Sequence, residues 1–326
     1  MAAYLPEDEV KPRFNTYAFS LYNTLSLGDF SWYVEGAYKT PDVFVDPFAT
    51  RVTLTGDKTL GKLVDRSGSI VYTTLGYSTK GLGITAEYKR TENFTFRTEP
   101  FVLANMGAVN FLPPMSRVNT FRLNARYAPA TQELGEQAVQ LDIRYSPSRK
   151  LGFNVNFSNI TNLDNDLLYR EIYTEAVYKY KRKWVLTGGL QLQNYNQDIY
   201  ENKPGVPLVE TITPYVEFLY KFDRKKSLRT EFQFMSTDQD FGDWVFALAE
   251  FSIAPHWTIT LSDMYNLEDV RSAPHHYPRV DLFYTFKANK FSLSYIKQVE
   301  GIVCTGGICR LEPAFSGVRL AVNSTF

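Results

Sequence analysis

The sequence predicts an all-β protein, an antiparallel transmembrane β-barrel of about sixteen to eighteen strands. Three observations support this prediction. Apolar and polar residues alternate in runs of about ten, separated by turn residues. Aromatic residues make up 15% of the chain, with 22 Tyr and 24 Phe, and such residues favour strands and form the girdles of membrane barrels. The chain also ends in an alternating apolar run that finishes at Phe326.

The alternation is clearest in a hairpin around a turn at residues 146–150. Val139 and Leu141 alternate there with Gln140 and Asp142. Because successive side chains of a strand point to opposite faces, this pattern suits a wall with lipid outside and water inside. The predicted strands share the pattern and lie at residues 17–27, 32–39, 82–89, 121–127, 139–145, 151–158, 172–180, 184–193, 208–222, 228–235, 244–253, 257–264, 280–287, 291–298 and 315–326.

Charge balance and hydropathy exclude other classes of protein. The chain carries 35 Lys+Arg and 35 Asp+Glu, which gives no electrostatic reason to expect nucleic acid or an acidic substrate as a partner. The mean hydropathy is −0.26, and no run approaches the roughly 18 apolar residues of a membrane helix. A barrel carries apolar side chains only at alternate positions, so this low value fits it, and outer-membrane lipid is the predicted partner of the apolar face.

The lengths of the connections predict the orientation in the membrane. Outer-membrane barrels have short periplasmic turns and longer outer loops. In the second half of the chain every tight turn falls on the periplasmic side when strands are counted back from the C-terminus. The tight turns lie at residues 146–150, 180–183, 223–227, 254–256 and 287–290, and the longer connections at 128–136, 159–167, 196–207, 266–276 and 300–313.

Upstream the same count fails, because short turns at residues 28–29 and 79–81 fall at the outer end. We expect a hidden crossing within residues 91–117, at 101–111, to restore the order; the alternative is that one early short turn is an outer one. With that crossing the first strand begins at the outer side, which predicts that N-terminal strands are missing. Residues 1–12 also lack the basic cluster and apolar core of a secretory signal, so a leader has been removed or lies upstream.

The final strand carries a predicted assembly signal. Val318, Leu320, Val322 and Phe326 share one face of an apolar strand that ends in an aromatic residue. Before the barrel closes, such an edge strand can add to the sheet of another protein. The predicted partner during biogenesis is the barrel-assembly machinery.

Cys304 and Cys309 are the only two cysteines, and Gly306 and Gly307 lie between them in the last outer loop. This spacing allows a small closed ring, and the cell surface is oxidising enough to keep it closed. The alternative is half of a metal site, but no nearby His or second Cys pair completes it. A structural disulfide is therefore predicted.

Two other polar clusters are interpreted as solvated loop residues. For the cluster around His275 and His276, the alternative is a loop metal site or an acid–base pair. For the cluster at residues 162–166, the alternative is a calcium site, although its spacing lacks the distal Glu of a calcium loop. No nucleophile elbow, phosphate-binding glycine loop or zinc-protease helix occurs. The sequence thus predicts no catalytic, cofactor-binding or metal-binding residue, no cofactor and no enzyme. The clusters are His275 and His276 with Glu268 and Asp269, and Asn162, Asp164, Asn165 and Asp166.

The polar residues predicted to face inward carry mixed charges. They suit either ladders that brace the wall or the lining of an aqueous channel. Bracing fits most of them, because an unpaired charge in a narrow lumen is costly. They include Glu35, Lys39, Glu87, Lys89, Arg122, Arg126, Asp142, Arg144, Glu217, Lys221, Arg229, Glu231 and Gln233.

Three segments of the chain carry a resemblance to a known family: residues 14–17 (FNTY), 30–39 (FSWYVEGAYK) and 304–317, which include the cysteine pair. They resemble an uncharacterised outer-membrane β-barrel family of Bacteroidetes-type bacteria. The resemblance implies a location in the outer membrane of a Gram-negative bacterium. It also implies a longer N-terminus with a leader, in agreement with the truncation expected from the strand count. It supplies no catalytic or binding residue. The predicted organisation is an N-terminal extension or truncated lead-in at residues 1–13 and an outer-membrane barrel at 14–326.

Two functional classes fit this prediction. A channel or transport protein for small polar solutes is favoured, because the strand number would leave an aqueous lumen. The alternative is a structural or accessory subunit whose loops or wall hold partner proteins in an outer-membrane complex. An outer-membrane enzyme is a distant third, since the few histidines lie in loops.

Overall fold

The computed structural model describes residues 15–96, 113–130, 135–268, 275–299, 301–305 and 308–325, with the backbone alone at 47–48, 301–305 and 308–312. These residues form seventeen β-strands and one short helix, α1 (Gln197–Tyr200). No helix in them is long and apolar enough to cross a membrane.

The strands follow one another along the chain. They are β1 (Ala18–Leu27), β2 (Phe30–Val52), β3 (Lys58–Thr79), β4 (Leu82–Glu92), β5 (Glu136–Ser148), β6 (Leu151–Asn162), β7 (Leu167–Tyr180), β8 (Trp184–Tyr195), β9 (Val209–Lys221), β10 (Lys226–Met235), β11 (Trp244–Ile253), β12 (Trp257–Asn266), β13 (His276–Phe286), β14 (Asn289–Gln298), β15 (Gly301–Thr305), β16 (Ile308–Glu312) and β17 (Phe315–Ser324).

Fifteen of these strands form one antiparallel sheet, the wall, in the order β1 to β14 and then β17. The remaining two, β15 and β16, form a separate hairpin. The tight turns identified in the sequence lie at one end of the wall, which we call the short-turn end. The other connections lie at the opposite, long-loop end, where those at residues 53–57 and 163–166 are also short. Gly28 and Gly81 adopt φ values of +58° and +78° in two of the tight turns, a conformation that glycine accepts without strain.

The two faces of the wall differ in the way the sequence predicts. In β8, Leu190 and Leu192 are exposed, whereas Gln191 and Gln193 are buried. A water-soluble fold would show the reverse, but a membrane barrel exposes apolar side chains to lipid and keeps polar ones inside. The prediction of an all-β, antiparallel transmembrane barrel is confirmed, and the seventeen strands lie within the predicted range.

The predicted strand at residues 121–127 was wrong. β4 pairs directly with β5, from Leu82 opposite Tyr145 to Thr91 opposite Glu136, so the wall has no place for another strand between them. Residues 121–127 lie inside the barrel instead. With this strand removed and β3 included, the turns at residues 28–29 and 79–81 lie at the short-turn end, so the hidden crossing expected at residues 101–111 is not needed to explain them. That segment lies outside the described residues.

The sequence also missed β3, which pairs along nearly its whole length with β2. These two strands have 23 and 22 residues, whereas β1 has 10. Pairing of β1 with β2 stops at Lys39, and pairing of β3 with β4 starts at Ser69. Residues 40–68 therefore extend beyond the neighbouring strands at the long-loop end.

Within the described residues, β1 and β17 are the two edges of the wall and do not pair with each other. Fifteen strands in antiparallel succession leave the first and the last pointing the same way. Both run from the long-loop end to the short-turn end, so β1 begins at the long-loop end, which the sequence predicts to be the outer side.

Candidate channel lumen

Residues 113–130, which we call the lumen segment, connect β4 to β5 through the inside of the barrel. The backbone of this segment is bonded to inward-facing side chains of three different strands. Lys89 Nζ of β4 donates to Pro113 O at 2.8 Å, Gln193 Nε2 of β8 donates to Tyr127 O at 2.6 Å, and Gln233 Oε1 of β10 accepts from Leu123 N at 2.6 Å. The segment thus spans the interior between opposite parts of the wall.

The segment reaches deepest towards the short-turn end at Arg117. Its guanidinium donates to Asn154, lies 3.7 Å from the ring centre of Tyr173 and approaches Glu175 Oε2 to 3.8 Å. Asn154 is only three residues from the start of β6 at the short-turn end. Stacking on an aromatic face together with a carboxylate holds this arginine in one position.

The second half of the segment rises back to the long-loop end. Arg126 lies 4.4 Å from the ring centre of Trp244 and 3.8 Å from Asp240 Oδ2, and Tyr127 donates to the same oxygen at 2.9 Å. Burial raises the pKa of Tyr127, so its hydroxyl stays protonated and remains a donor. Asp240 belongs to the loop between β10 and β11, which therefore anchors the segment.

The alternation at residues 121–127 has a different origin from that of a strand. Phe121, Leu123 and Tyr127 are buried against the inner wall, and the ring centre of Phe121 is 4.2 Å from that of Tyr215. The backbone closes turns, since Ala125 N donates to Phe121 O at 3.0 Å. The residues between them do not share one environment, because Asn124 is also fully buried and Arg126 lies over Trp244 of the wall. The apolar residues at 121, 123 and 127 therefore mark contacts with the wall and not the outer face of a strand.

Several buried polar atoms between the segment and the wall have no hydrogen-bond partner among the described residues. Each such atom costs about 1–3 kcal/mol. The contact between the segment and the wall is therefore less stable than a fully paired interface. The atoms include Asn119 Oδ1, both side-chain polar atoms of Asn124, Glu171 Oε2, Gln191 Oε1, Gln193 Oε1 and Thr213 Oγ1.

A polar cavity of about 850 Å³ lies between the lumen segment and the short-turn end. Its walls come from β4 to β7 and from Arg117 of the segment. Each of its carboxylates already has a partner: Glu87 accepts from Tyr72, Asp142 pairs with Arg144 at 2.8 Å, and Glu175 accepts from Tyr173. The cavity is large enough for a small polar solute and has little uncompensated negative charge.

Ion pairs brace the wall as the sequence predicts. Arg229 of β10 bonds Glu217 of β9 and Glu231 at 3.0 Å, and Glu250 of β11 at 3.3 Å. Lys89 of β4 similarly lies 2.6 Å from Glu136 of β5. Arg122 and Arg126 are an exception, because they lie on the lumen segment and not on wall strands.

The residues of the predicted assembly signal lie on the outward face of β17. Val318, Leu320 and Val322 are 69%, 73% and 56% exposed, opposite apolar residues of β14. Phe326 lies outside the described residues. Cys304 and Cys309 are directly opposite each other in the β15–β16 hairpin, but their side chains lie outside the described part, so the disulfide stays a prediction.

The other polar clusters serve loop structure in the described part of the chain. His276 Nδ1 lies 2.6 Å from Asp263 Oδ2, and His275 Nδ1 lies 3.0 Å from the backbone oxygen of Asn266. Asn162 Oδ1 accepts from the backbone of Asp166 at 2.7 Å, which closes a turn. No group of three or more His, Cys, Asp or Glu suited to a metal ion occurs among the described residues.

Several solved structures and one protein family are similar to this chain. A mutant of the Rh. blastica porin is 11% identical over 94% of this chain and 89% of that chain, with a TM-score of 0.42. OccK5 (OpdH) of Pseudomonas aeruginosa is 10% identical over 95% and 96%, and OprD of the same organism is 12% identical over 95% and 90%, each with a TM-score of 0.43. No curated protein matches the chain. The model of a family described as "Family of unknown function (DUF6029)" matches residues 6–326, and the chain therefore belongs to this family.

Proposed function

We propose that this protein is a channel of the bacterial outer membrane that passes small polar solutes. The observation that supports the proposal is the combination of a lipid-type exterior with a polar interior, seen in the neighbouring residues of β8. A polar cavity of about 850 Å³ continues this interior towards the short-turn end. The role is passive transport, without a catalytic step.

The lumen segment acts in this proposal as a constriction. It occupies the interior from Pro113 to Ala130, and its polar contacts with the wall are incompletely paired. Displacing it costs less than unfolding a strand, because its ties are side-chain bonds to the wall and not a ladder of backbone bonds.

An accessory role in an outer-membrane protein complex is the second candidate. The number of hydrogen bonds and ion pairs between the lumen segment and the wall favours it, because a barrel whose lumen is firmly blocked carries no current. In that case partner proteins would be held by the outer loops, including the long β2–β3 hairpin.

Planar-bilayer recordings separate the two candidates. The refolded protein is compared with a variant in which a glycine-serine linker of equal length replaces residues 115–128. A channel gives stepwise current in the wild type and a several-fold larger step in the variant. Silence of both proteins, together with a stable partner that co-purifies from outer membranes, contradicts the channel and supports the accessory role.

A further inference from the structure

Arg122 is the residue of the lumen segment whose charge is least compensated. Its neighbours Phe121 and Leu123 are buried against the inner wall, while Arg122 itself is exposed. Its side chain therefore points away from the wall and into the lumen. Nothing in the bracing of the wall requires a cation at this point.

Every other arginine near this point has a carboxylate partner. Arg126 lies 3.8 Å from Asp240 Oδ2, and Arg279 of β13 holds Asp281 through two bonds of 2.8 and 3.0 Å. Arg122 forms no ion pair or hydrogen bond with any of the described residues. Of these three guanidinium groups, that of Arg122 is the one without a carboxylate partner among the described residues.

Arg122 stays protonated at neutral pH despite this crowding. The protein atoms that surround it inside the barrel, followed by the charges of Arg126 and Arg279, lower its pKa to about 10. The contacts agree with this, because Arg126 lies over Trp244, whose ring centre is 5.7 Å from that of Tyr277. Arg279 is two residues from Tyr277 on the same face of β13. An anion placed among them would gain attraction without displacing an existing ion pair.

We propose that Arg122, together with Arg279 on the facing wall, forms an anion-binding point that makes the channel select small solutes with a carboxylate or phosphate group. Guanidinium groups bind both groups through paired hydrogen bonds. A lumen with low-dielectric walls strengthens the attraction and raises the local anion concentration. The selectivity part of this inference rests on the proposed channel function, but the binding part does not.

Reversal potentials in a potassium chloride gradient test the selectivity. The wild type should pass chloride more readily than potassium. Arg122→Gln should lower that permeability ratio by at least about twofold, and Arg122→Lys should retain it. Arg170→Gln is the matched control, because Arg170 is exposed near the long-loop end of β7 and bonds only Asn159 among the described residues. A ratio that is equal in the wild type and Arg122→Gln overturns the inference, while the current itself still supports a channel.

Calorimetric titration with inorganic pyrophosphate gives a readout that needs no current. Wild type and Arg170→Gln in detergent should bind one pyrophosphate per chain, and Arg122→Gln should bind about tenfold more weakly. Binding without current supports the site and contradicts the channel. Absence of saturable binding in a wild type whose folding is verified by heat-modifiable gel mobility overturns the site.

Discussion

Adjacent residues of one strand have opposite surroundings in this protein. In β14, Leu293 is 47% exposed on the outer face, whereas Ser294 is buried and donates to Asp281 Oδ1 at 2.6 Å. A soluble protein would bury the leucine and expose the serine. At the scale of the residue, the alternation therefore reflects two different surroundings, lipid on one face and a polar interior on the other. Each side chain can be tested separately.

Leu293→Arg should strongly destabilise the protein in a membrane. The substitution puts a charge into hydrocarbon near the middle of β14, which costs about 2–4 kcal/mol at the bilayer midplane. The free energy of unfolding is measured by urea titration in lipid vesicles.

Ser292→Arg is the matched control, because Ser292 is the preceding residue of the same strand and faces inward. Its cost should be clearly smaller. Equal losses of stability for the two variants would mean that the face carrying Leu293 does not contact lipid.

At the scale of the element, the sequence predicts a strand only where the strand crosses the membrane. β2 and β3 have 23 and 22 residues, but a membrane strand needs about 9–11. The remaining part of the hairpin, at residues 40–68, extends beyond its neighbours. Neither of its faces meets lipid there, so the alternation that identifies the other strands is weak. The part of β3 that pairs with β4 was missed as well: Val71 and Leu75 are exposed on its outer face, but Ile70 and Tyr72 on the other face are also apolar, which obscures the alternation.

The lumen segment shows the opposite error. Residues 121, 123 and 127 are apolar because they pack on the inner wall, and sequence alone does not distinguish that wall from a lipid layer. The contacts that define the site join residues far apart in the chain, such as Leu123 and Gln233, and no local pattern encodes them. The apolar outward faces could be predicted, whereas the occupant of the lumen could not.

The β15–β16 hairpin should carry a disulfide. Directly opposed residues of an antiparallel pair have Cα atoms about 4.5–5.5 Å apart, which lies within the range of disulfides, and Cys304 is opposite Cys309. In the folded protein, a maleimide-polyethylene glycol reagent should add to no thiol before reduction and to two thiols after it. Modification of both cysteines without reductant would contradict the disulfide.

The last strand should direct assembly into the membrane. Deletion of Phe326, or Leu320→Asp, should reduce the folded fraction in outer membranes several-fold, because it weakens the apolar edge offered to the assembly machinery. Heat-modifiable gel mobility measures this fraction. Asn323→Asp, on the opposite face of the same strand, is the control and should assemble normally. Full assembly without Phe326 would show that the terminal aromatic residue is dispensable.

At the scale of the whole molecule, the protein is a single antiparallel wall around a polar interior that is crossed by its own chain. The order of the strands follows the sequence, so the topology needs only tight turns at one end and loops at the other. In the proposed function, the polar cavity beside the lumen segment and the uncompensated charge of Arg122 make the interior a place for a solute. The channel proposal and the anion-binding point both depend on this inside-out arrangement.

Spin labels at four consecutive positions of β12 test that arrangement most directly. Cysteines introduced at residues 259–262 in a variant with serine at both native cysteine positions carry the label, and the protein is placed in lipid vesicles. Labels at the positions of Ile259 and Leu261 should collide readily with oxygen dissolved in lipid, and those at Thr260 and Ser262 should not. Equal access of a water-soluble nickel complex to all four labels would contradict a lipid-facing exterior and a barrel in the membrane.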